Sequence, residues 1–397
     1  MSLSATTDAA AAPFSLRPLL LSNFGCMMAM MAFVAVIGPL VRVLGLQEWQ
    51  AGATVTISGV LWMALATFWG RASDRLGRRT ILLIGVGGFA FFYLVLALFI
   101  DYALLAKPGV LIAFAGLMFC RAGMGAFFAG VPGTANALVA DHVEPSRRAG
   151  AMATVGASMA CGVVLGPAVA AMMVGKSLSL PLYATAVLPL LAFLLLFFGL
   201  PKSERRVASA VEPVRLNDAR IRRPMVVAFA TMFCMATTQI VIGFYALDRL
   251  GLPPGEAARA AGVALALVGI ALVVSQTMMR YIAWRPERLI LIGALVSALG
   301  FGCALLATSA PVLWSGYFIG AAGMGWIFPS FSALTANAVE AGEQGAAAGA
   351  VASAQGFGNV VGPMAATLLY DLSPQLPYGL VALLLVFVAL MMWRGPA

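Results

Sequence analysis

One arginine is chemically out of place in this sequence. Arg121 stands in FCRAGMGAFFAG, inside an apolar run and about 4.5 Å from its centre at ~1.5 Å per residue. A cation at that depth in hydrocarbon costs at least ~2.5 kcal/mol, so it is expected to face a cavity and act there. The alternative is a structural arginine bonded to backbone carbonyls. Groups for covalent chemistry are scarce around it. The only histidine, His142, falls in a loop, and the five cysteines lie in apolar stretches without a CxxC pair. Catalysis needs several reactive groups within reach of one another, so no catalytic residue and no metal site is expected. No GxxxxGK[ST] phosphate loop occurs, which disfavours transport driven by this chain's own nucleotide hydrolysis.

A second constellation lies in GRASDRLGRR, Gly70 to Arg79. Gly70 and Gly77 are expected to permit a tight turn between two helices. Asp74 is an acid among Arg71, Arg75, Arg78 and Arg79. It can pair across an interface or with a helix N-terminus. Breaking such contacts would bias one conformational state over another. The bland reading is a solvated charge run that sets orientation.

The elements that must position these groups are membrane spans. Of 397 residues, 62% are hydrophobic and 10% charged, and the mean hydropathy is +0.98. Apolar runs long enough to cross ~30 Å of hydrocarbon recur from end to end. They must be helices, because backbone groups in lipid have to be satisfied within the segment. Twelve spans are expected, at roughly 17–41, 51–70, 80–100, 110–138, 149–174, 180–200, 224–247, 260–281, 288–308, 311–336, 346–370 and 377–393. The net charge of +9 is a topology signal and does not point to nucleic acid. Among the basic residues, Arg42, Lys107, Lys176, Arg249 and Arg259 fall in one set of loops. All others except Arg121 fall on the opposite side, which the positive-inside rule makes cytoplasmic for both termini.

The chain divides into a cytoplasmic tail (1–16), a six-helix bundle (17–200), a basic linker (201–223), a second six-helix bundle (224–393) and a short cytoplasmic end (394–397). The bundles are repeats. ALVADHVEPSRRAGAMATVGASMACGVVLGP (137–167) aligns without gaps to ALTANAVEAGEQGAAAGAVASAQGFGNVVGP (333–363), sharing Glu144/Glu340, Gly162/Gly358, Gly166/Gly362 and Pro167/Pro363. Parallel six-span repeats are a common plan for secondary transporters, with a substrate site between the halves near mid-membrane. The small residues allow close helix approach, and Pro167 and Pro363 can bend their helices.

The loop motif resembles the cytoplasmic signature of the major facilitator superfamily. GASMACGVVLGP (156–167) is similar to the span-5 signature of that family's drug antiporters, although Ala170 and Ala171 stand where a glycine pair usually follows. Arg121 with its trailing small residues resembles the arginine that those antiporters use in proton transfer. The resemblance implies an all-α, twelve-helix major facilitator fold closest to the tetracycline and multidrug proton antiporters. It implies alternating access, a proton gradient as the energy source and no cofactor. The Ala-, Gly- and Arg-rich usage with only three lysines points to a GC-rich bacterial genome and hence to a multi-pass protein of an inner membrane, expected to meet a small-molecule substrate and the bilayer with no obligate protein or nucleic-acid partner, as a monomer.

The sequence departs from that pattern in one respect. No acid lies clearly in mid-membrane: span 1 offers Asn23 and a run of methionines, and span 3 has Phe92 and Tyr93 where tetracycline antiporters carry an acid. Proton coupling would have to use acids at span ends, such as Asp101 or Asp248, or a proton carried by the substrate. A cavity holding Arg121 without a buried counter-ion is net positive, so an anionic substrate or a metal chelate, such as a siderophore or an acidic antibiotic, is expected. Further candidates for substrate contact are Asn23, Gln239, Tyr245, Tyr317, Trp326, Gln355 and Asn359, each of which could equally serve an interhelical hydrogen bond. An importer built on the same fold is the competing reading, and a membrane-embedded enzyme a remote one.

Overall fold

The computed structural model describes residues 15–200, 218–281, 284–340 and 343–393. Most of the expected tail and linker, and the last four residues, lie outside these. The described chain contains thirteen α-helices and one 3₁₀ turn, and no strand. In order they are α1 (Arg17–Val43), α2 (Glu48–Leu76), α3 (Arg78–Ala106), α4 (Val110–Phe128), α5 (Val131–His142), α6 (Pro145–Met173), α7 (Leu180–Gly199), α8 (Ala219–Asp248), α9 (Pro254–Met278), α10 (Pro286–Leu305), α11 (Ala310–Asn337), α12 (Gln344–Leu372) and α13 (Leu376–Trp393). Prolines fall in the first turn of α1, α7, α10 and α11, where a missing N–H costs nothing.

Span 4 is a single crossing made of two helices, α4 and α5. Pro132 cannot donate back to the preceding turn, and the Gly130 amide bonds Phe127 O at 3.1 Å in a tightened turn. The Ala126 carbonyl freed by that shift accepts from Trp69 Nε1 at 2.7 Å. Eleven crossings are long and apolar enough to traverse a bilayer among the described residues. The twelfth, α12, has 29 residues but is diluted by Gln355, Asn359 and several glycines.

The loop at Gly70–Arg79 differs in one detail from the expectation. Helix α2 runs on to Leu76, so Gly70 is helical and Gly77 alone makes the turn. Gly77 has φ +92°, which a residue with a Cβ rarely adopts.

Helices α1–α7 form one bundle and α8–α13 the other. Each is held by glycines that let backbones touch. A Cβ on Gly162 or Gly166 in α6 would meet the α1 backbone at Phe24 O (2.6 Å) or Met28 O (2.4 Å). Their repeat partners in α12 meet α8: Gly358 faces Phe229 O at 2.5 Å and Gly362 faces Phe233 O at 3.0 Å. The close-packing role expected of these four glycines is thus the same in both halves.

Candidate functional site

The halves meet on the side away from the linker, here called the far side. Gly38 of α1 and Gly243 of α8 occupy equivalent places in the two halves and pack directly on each other. Two seams flank this point. In one, α2 lies on α12: a Cβ on Gly52 would fall 2.7 Å from Pro363 O, and one on Gly59 would fall 2.9 Å from Val360 Cγ2. In the other, α9 lies on α6: Gly262 faces Pro167 O at 2.7 Å, and Gly269 faces the methyls of Val164. Toward the linker side the same helices diverge, and Gly150 and Gly156 of α6 and Gly349 and Gly356 of α12 meet nothing within 4 Å. The molecule is closed on its far side and open toward the linker.

Charge reinforces the far side. Arg42, at the end of α1, pairs with Glu48 at the start of α2 and reaches across to Asp248 Oδ2 of α8 at 2.8 Å. Tyr370 of α12 donates to the same Asp248 oxygen at 3.1 Å. A little deeper, Thr56 Oγ1 donates to Val360 O at 3.0 Å across the same seam.

On the linker side the described ion pairs stay within one half. Arg78 holds Asp74 at 2.5 Å and Asp141 of α5 at 3.2 Å, and donates to Ser73 Oγ. Asp74 is therefore paired with its own loop, and not across the halves, in this conformation. Arg79 donates to Phe197 O of α7, while Arg71 and Arg75 are exposed. In the other half Arg220 clamps Asp218 at 2.8 Å and Glu343 at 2.9 Å. The Arg220 guanidinium holds both carboxyls below their ordinary range.

Arg121 lies within the first bundle, only 2% exposed. Its guanidinium sits over the Phe33 ring of α1, 4.9 Å from the centroid, and Nε donates a long 3.4 Å bond to Thr54 O of α2. Nη1 is buried with no hydrogen-bond partner, and no carboxylate pairs with Arg121 among the described residues. Gly125, one turn on, presses against the Ser58 backbone and brings α2 close enough to cover it. Tyr93 of α3 stands nearby, its hydroxyl 2.7 Å from Thr185 Oγ1. The bond to a backbone carbonyl is the structural alternative that the sequence left open for Arg121, and Nη1 is the donor it leaves unused.

The other sequence candidates separate into two groups. Tyr245 donates to Leu305 O (2.9 Å), Tyr317 to Thr238 O (2.7 Å) and Trp326 Nε1 to Ser275 O (3.1 Å), so their polar atoms tie helices together. Asn23 is fully buried and donates to Leu19 O on its own helix, with Oδ1 unpartnered. Gln239 is half-buried on α8, and Asn359 is exposed on α12. Gln355 lines a cleft of about 100 Å³ with Phe331, Thr335 and Val351. Sequence reasoning missed Arg42, Glu48 and Tyr370 as a cluster, and the glycines of α2 and α9. The available signal was the equal spacing of Gly52/Gly59 and Gly262/Gly269 in the second span of each half.

A family model described as Major Facilitator Superfamily matches residues 19–288 and 258–396. The chain is similar to the tetracycline resistance protein, class G, of Vibrio anguillarum, at 26% identity over 339 residues covering 81% of this chain and 80% of that protein. It is similar to the quinolone resistance protein NorA of Staphylococcus aureus, at 24% identity with 84% of each chain covered. Among solved structures it is similar to a bacterial homolog of the human lysosomal transporter Spinster in its inward-facing, unoccupied conformation. That match has a TM-score of 0.76, 14% identity, and covers 96% of this chain and 95% of that one. It is also similar to a D-xylose–proton symporter, with a TM-score of 0.74, 16% identity, and 95% and 97% covered.

Proposed function

The chain belongs to the Major Facilitator Superfamily and is a carrier of small molecules, not an enzyme; from that premise we propose that it exports an anionic or metal-chelating small organic molecule in exchange for protons. The observation that carries the substrate class is the buried Arg121 with its unfilled Nη1 and no opposing carboxylate. An isolated cation in low dielectric attracts an anion strongly and repels a lipophilic cation. The direction rests on the resistance proteins it resembles, since the shared fold serves carriers of either direction. The chain works as a monomer in the inner membrane. Its linker side faces the cytoplasm, as the basic loops require, and the conformation described is then inward-facing.

Alternating access supplies the mechanism. The open linker side admits substrate, the far-side seams part while the linker side closes, and release follows on the other face. Inverted vesicles carrying the full chain test the reading. Acidifying their interior is expected to drive uptake of an acidic chelator. Arg121→Ala is expected to reduce that uptake at least tenfold, and Arg121→Lys to retain part of it, because the charge remains while the planar fork is lost. Preferred uptake of lipophilic cationic dyes by the wild type would overturn the substrate class.

A further inference from the structure

We propose that the loop between α9 and α10 is a headgroup site for an anionic phospholipid of the linker-side leaflet, whose phosphate supplies the negative charge that this loop lacks. The inference goes beyond the transport reading and depends on no substrate, direction or coupling ion.

The two halves treat the same loop differently. In the first half, Arg78 in the opening turn of α3 is neutralised by Asp74 and by Asp141 of α5, and Arg79 donates to Phe197 O. In the second half both acids are gone. The match of ILLIG (81–85) to LILIG (289–293) sets Ile282 where the first half has Asp74, and the match of 137–167 to 333–363 sets Asn337 where it has Asp141. The basic residues remain. Arg285 is the N-cap of α10 and Arg288 lies in its first turn. Both are exposed, and among the described residues neither enters an ion pair. Glu287 stands between them and pairs with neither.

The helix end deepens the deficit. A helix N-terminus carries partial positive charge and open N–H groups, and N-cap residues usually offer an oxygen to them. Arg285 offers none, and its side chain makes no cap bond. Two guanidinium groups thus share the opening turn of a 20-residue helix with its own positive end, an arrangement that phosphate oxygens complete.

The rings of the loop assign that phosphate to a lipid. The Arg288 guanidinium lies over Trp284, 4.7 Å from the ring centroid. Trp284 is exposed beside it, and Tyr281 is 87% exposed. Val273, Val274 and Met278 continue an exposed apolar surface along the last turns of α9. Tryptophan and tyrosine at span ends sit at the level of the headgroups. A free anion gains nothing from these rings, whereas a phospholipid sets its phosphate on the arginines and its chains along α9. Because α9 also carries Gly262 and Gly269 of the α6–α9 seam, the bound headgroup tethers one end of a seam helix to the membrane surface.

Native mass spectrometry of the detergent-solubilised full chain tests the site, with dioleoyl phosphatidylglycerol, dioleoyl phosphatidylcholine and inorganic phosphate as probes. The wild type is expected to retain phosphatidylglycerol at least about fivefold better than phosphatidylcholine. Arg285→Gln with Arg288→Gln is expected to lower phosphatidylglycerol retention about tenfold or more, since each basic residue beside a headgroup is worth roughly fivefold. Trp284→Leu is expected to lower it about two- to fivefold through the lost cation–π contact. Arg71→Gln with Arg75→Gln removes two exposed arginines from the first-half loop, for the same change in net charge, and is expected to alter retention by less than about twofold. Unchanged phosphatidylcholine retention and a monodisperse elution show that the variants are folded. Equal retention of both lipids by the wild type, an equal loss in the Arg71 and Arg75 variant, or displacement of the lipid by inorganic phosphate overturns the site. No reading involves transport, so failure of the export reading leaves the site standing.

Discussion

The two seams that close the far side share one geometry and differ in chemistry. In each, two glycines on the second span of one half receive the proline and valine of the fifth span of the other: Gly52 and Gly59 against Pro363 and Val360, Gly262 and Gly269 against Pro167 and Val164. The α6–α9 seam is apolar along this contact, with Ala171 beside Gly262. The α2–α12 seam adds the Thr56 bond, Thr367 beside Gly52 and, at its outer end, the Arg42 cluster. The repeat thus supplies the packing twice, while among the described residues an ion pair joins the halves only beside the α2–α12 seam. One seam is a plain apolar bearing, and the other adds polar and charged contacts to the same packing.

Overpacking should break both seams alike. Gly52→Val and Gly262→Val each force a side chain into space already held by a backbone carbonyl, at 2.7 Å from the new Cβ in both cases. Insertion into a packed interface typically costs ~1–3 kcal/mol, on the order of tenfold to a hundredfold in the closed population. Modification of a cysteine introduced at Thr367, which is buried against Gly52, by a membrane-impermeant maleimide should accelerate accordingly for both variants, and transport should fall with it. A strong effect from Gly52→Val with none from Gly262→Val would show that the seams are not equivalent bearings.

This equivalence explains what was legible beforehand. The helices could be read from apolar run length, and the fold from the gap-free match of 137–167 to 333–363, because α6 and α12 repeat with their sequence register intact. The kink of span 4 could not be placed, since it depends on Trp69 from α2 taking the Ala126 carbonyl. Arg121 was conspicuous because a lone charge in an apolar run announces its own cost. The Arg42 cluster was not, because Glu48 and Asp248 sit at span ends where acids are ordinary. Only the packing of four helices brings them together. Tyr245 and Tyr317 drew attention as polar groups in spans, yet their hydroxyls serve the carbonyls of Leu305 and Thr238, contacts between distant helices that no local pattern encodes.

Removing the charge should sharpen the contrast. Arg42→Gln leaves Glu48 and Asp248 facing one another with no cation between them. Half-exposed ion pairs of this kind are worth roughly 0.2–1 kcal/mol, so far-side opening should rise a few-fold, and less in high salt. Reporter cysteines in the α6–α9 seam should show the same rise as those in the α2–α12 seam if the halves rock as rigid bodies. A rise confined to α2–α12 would mean that its outer end frays alone.

The smallest effect is expected at Thr56. Its hydroxyl bond to Val360 O has no counterpart at the matching α6–α9 contact, where Gly269 meets Val164. Thr56→Val keeps the branched shape and removes one neutral hydrogen bond, worth about 0.5–1.5 kcal/mol, with the lower end appropriate because the site is only partly buried. Opening should increase about twofold, because one neutral, partly buried hydrogen bond is all that is lost. An increase as large as that of Arg42→Gln would show that the polar contacts from Arg42 to Val360 act as one network and not as separate contributions.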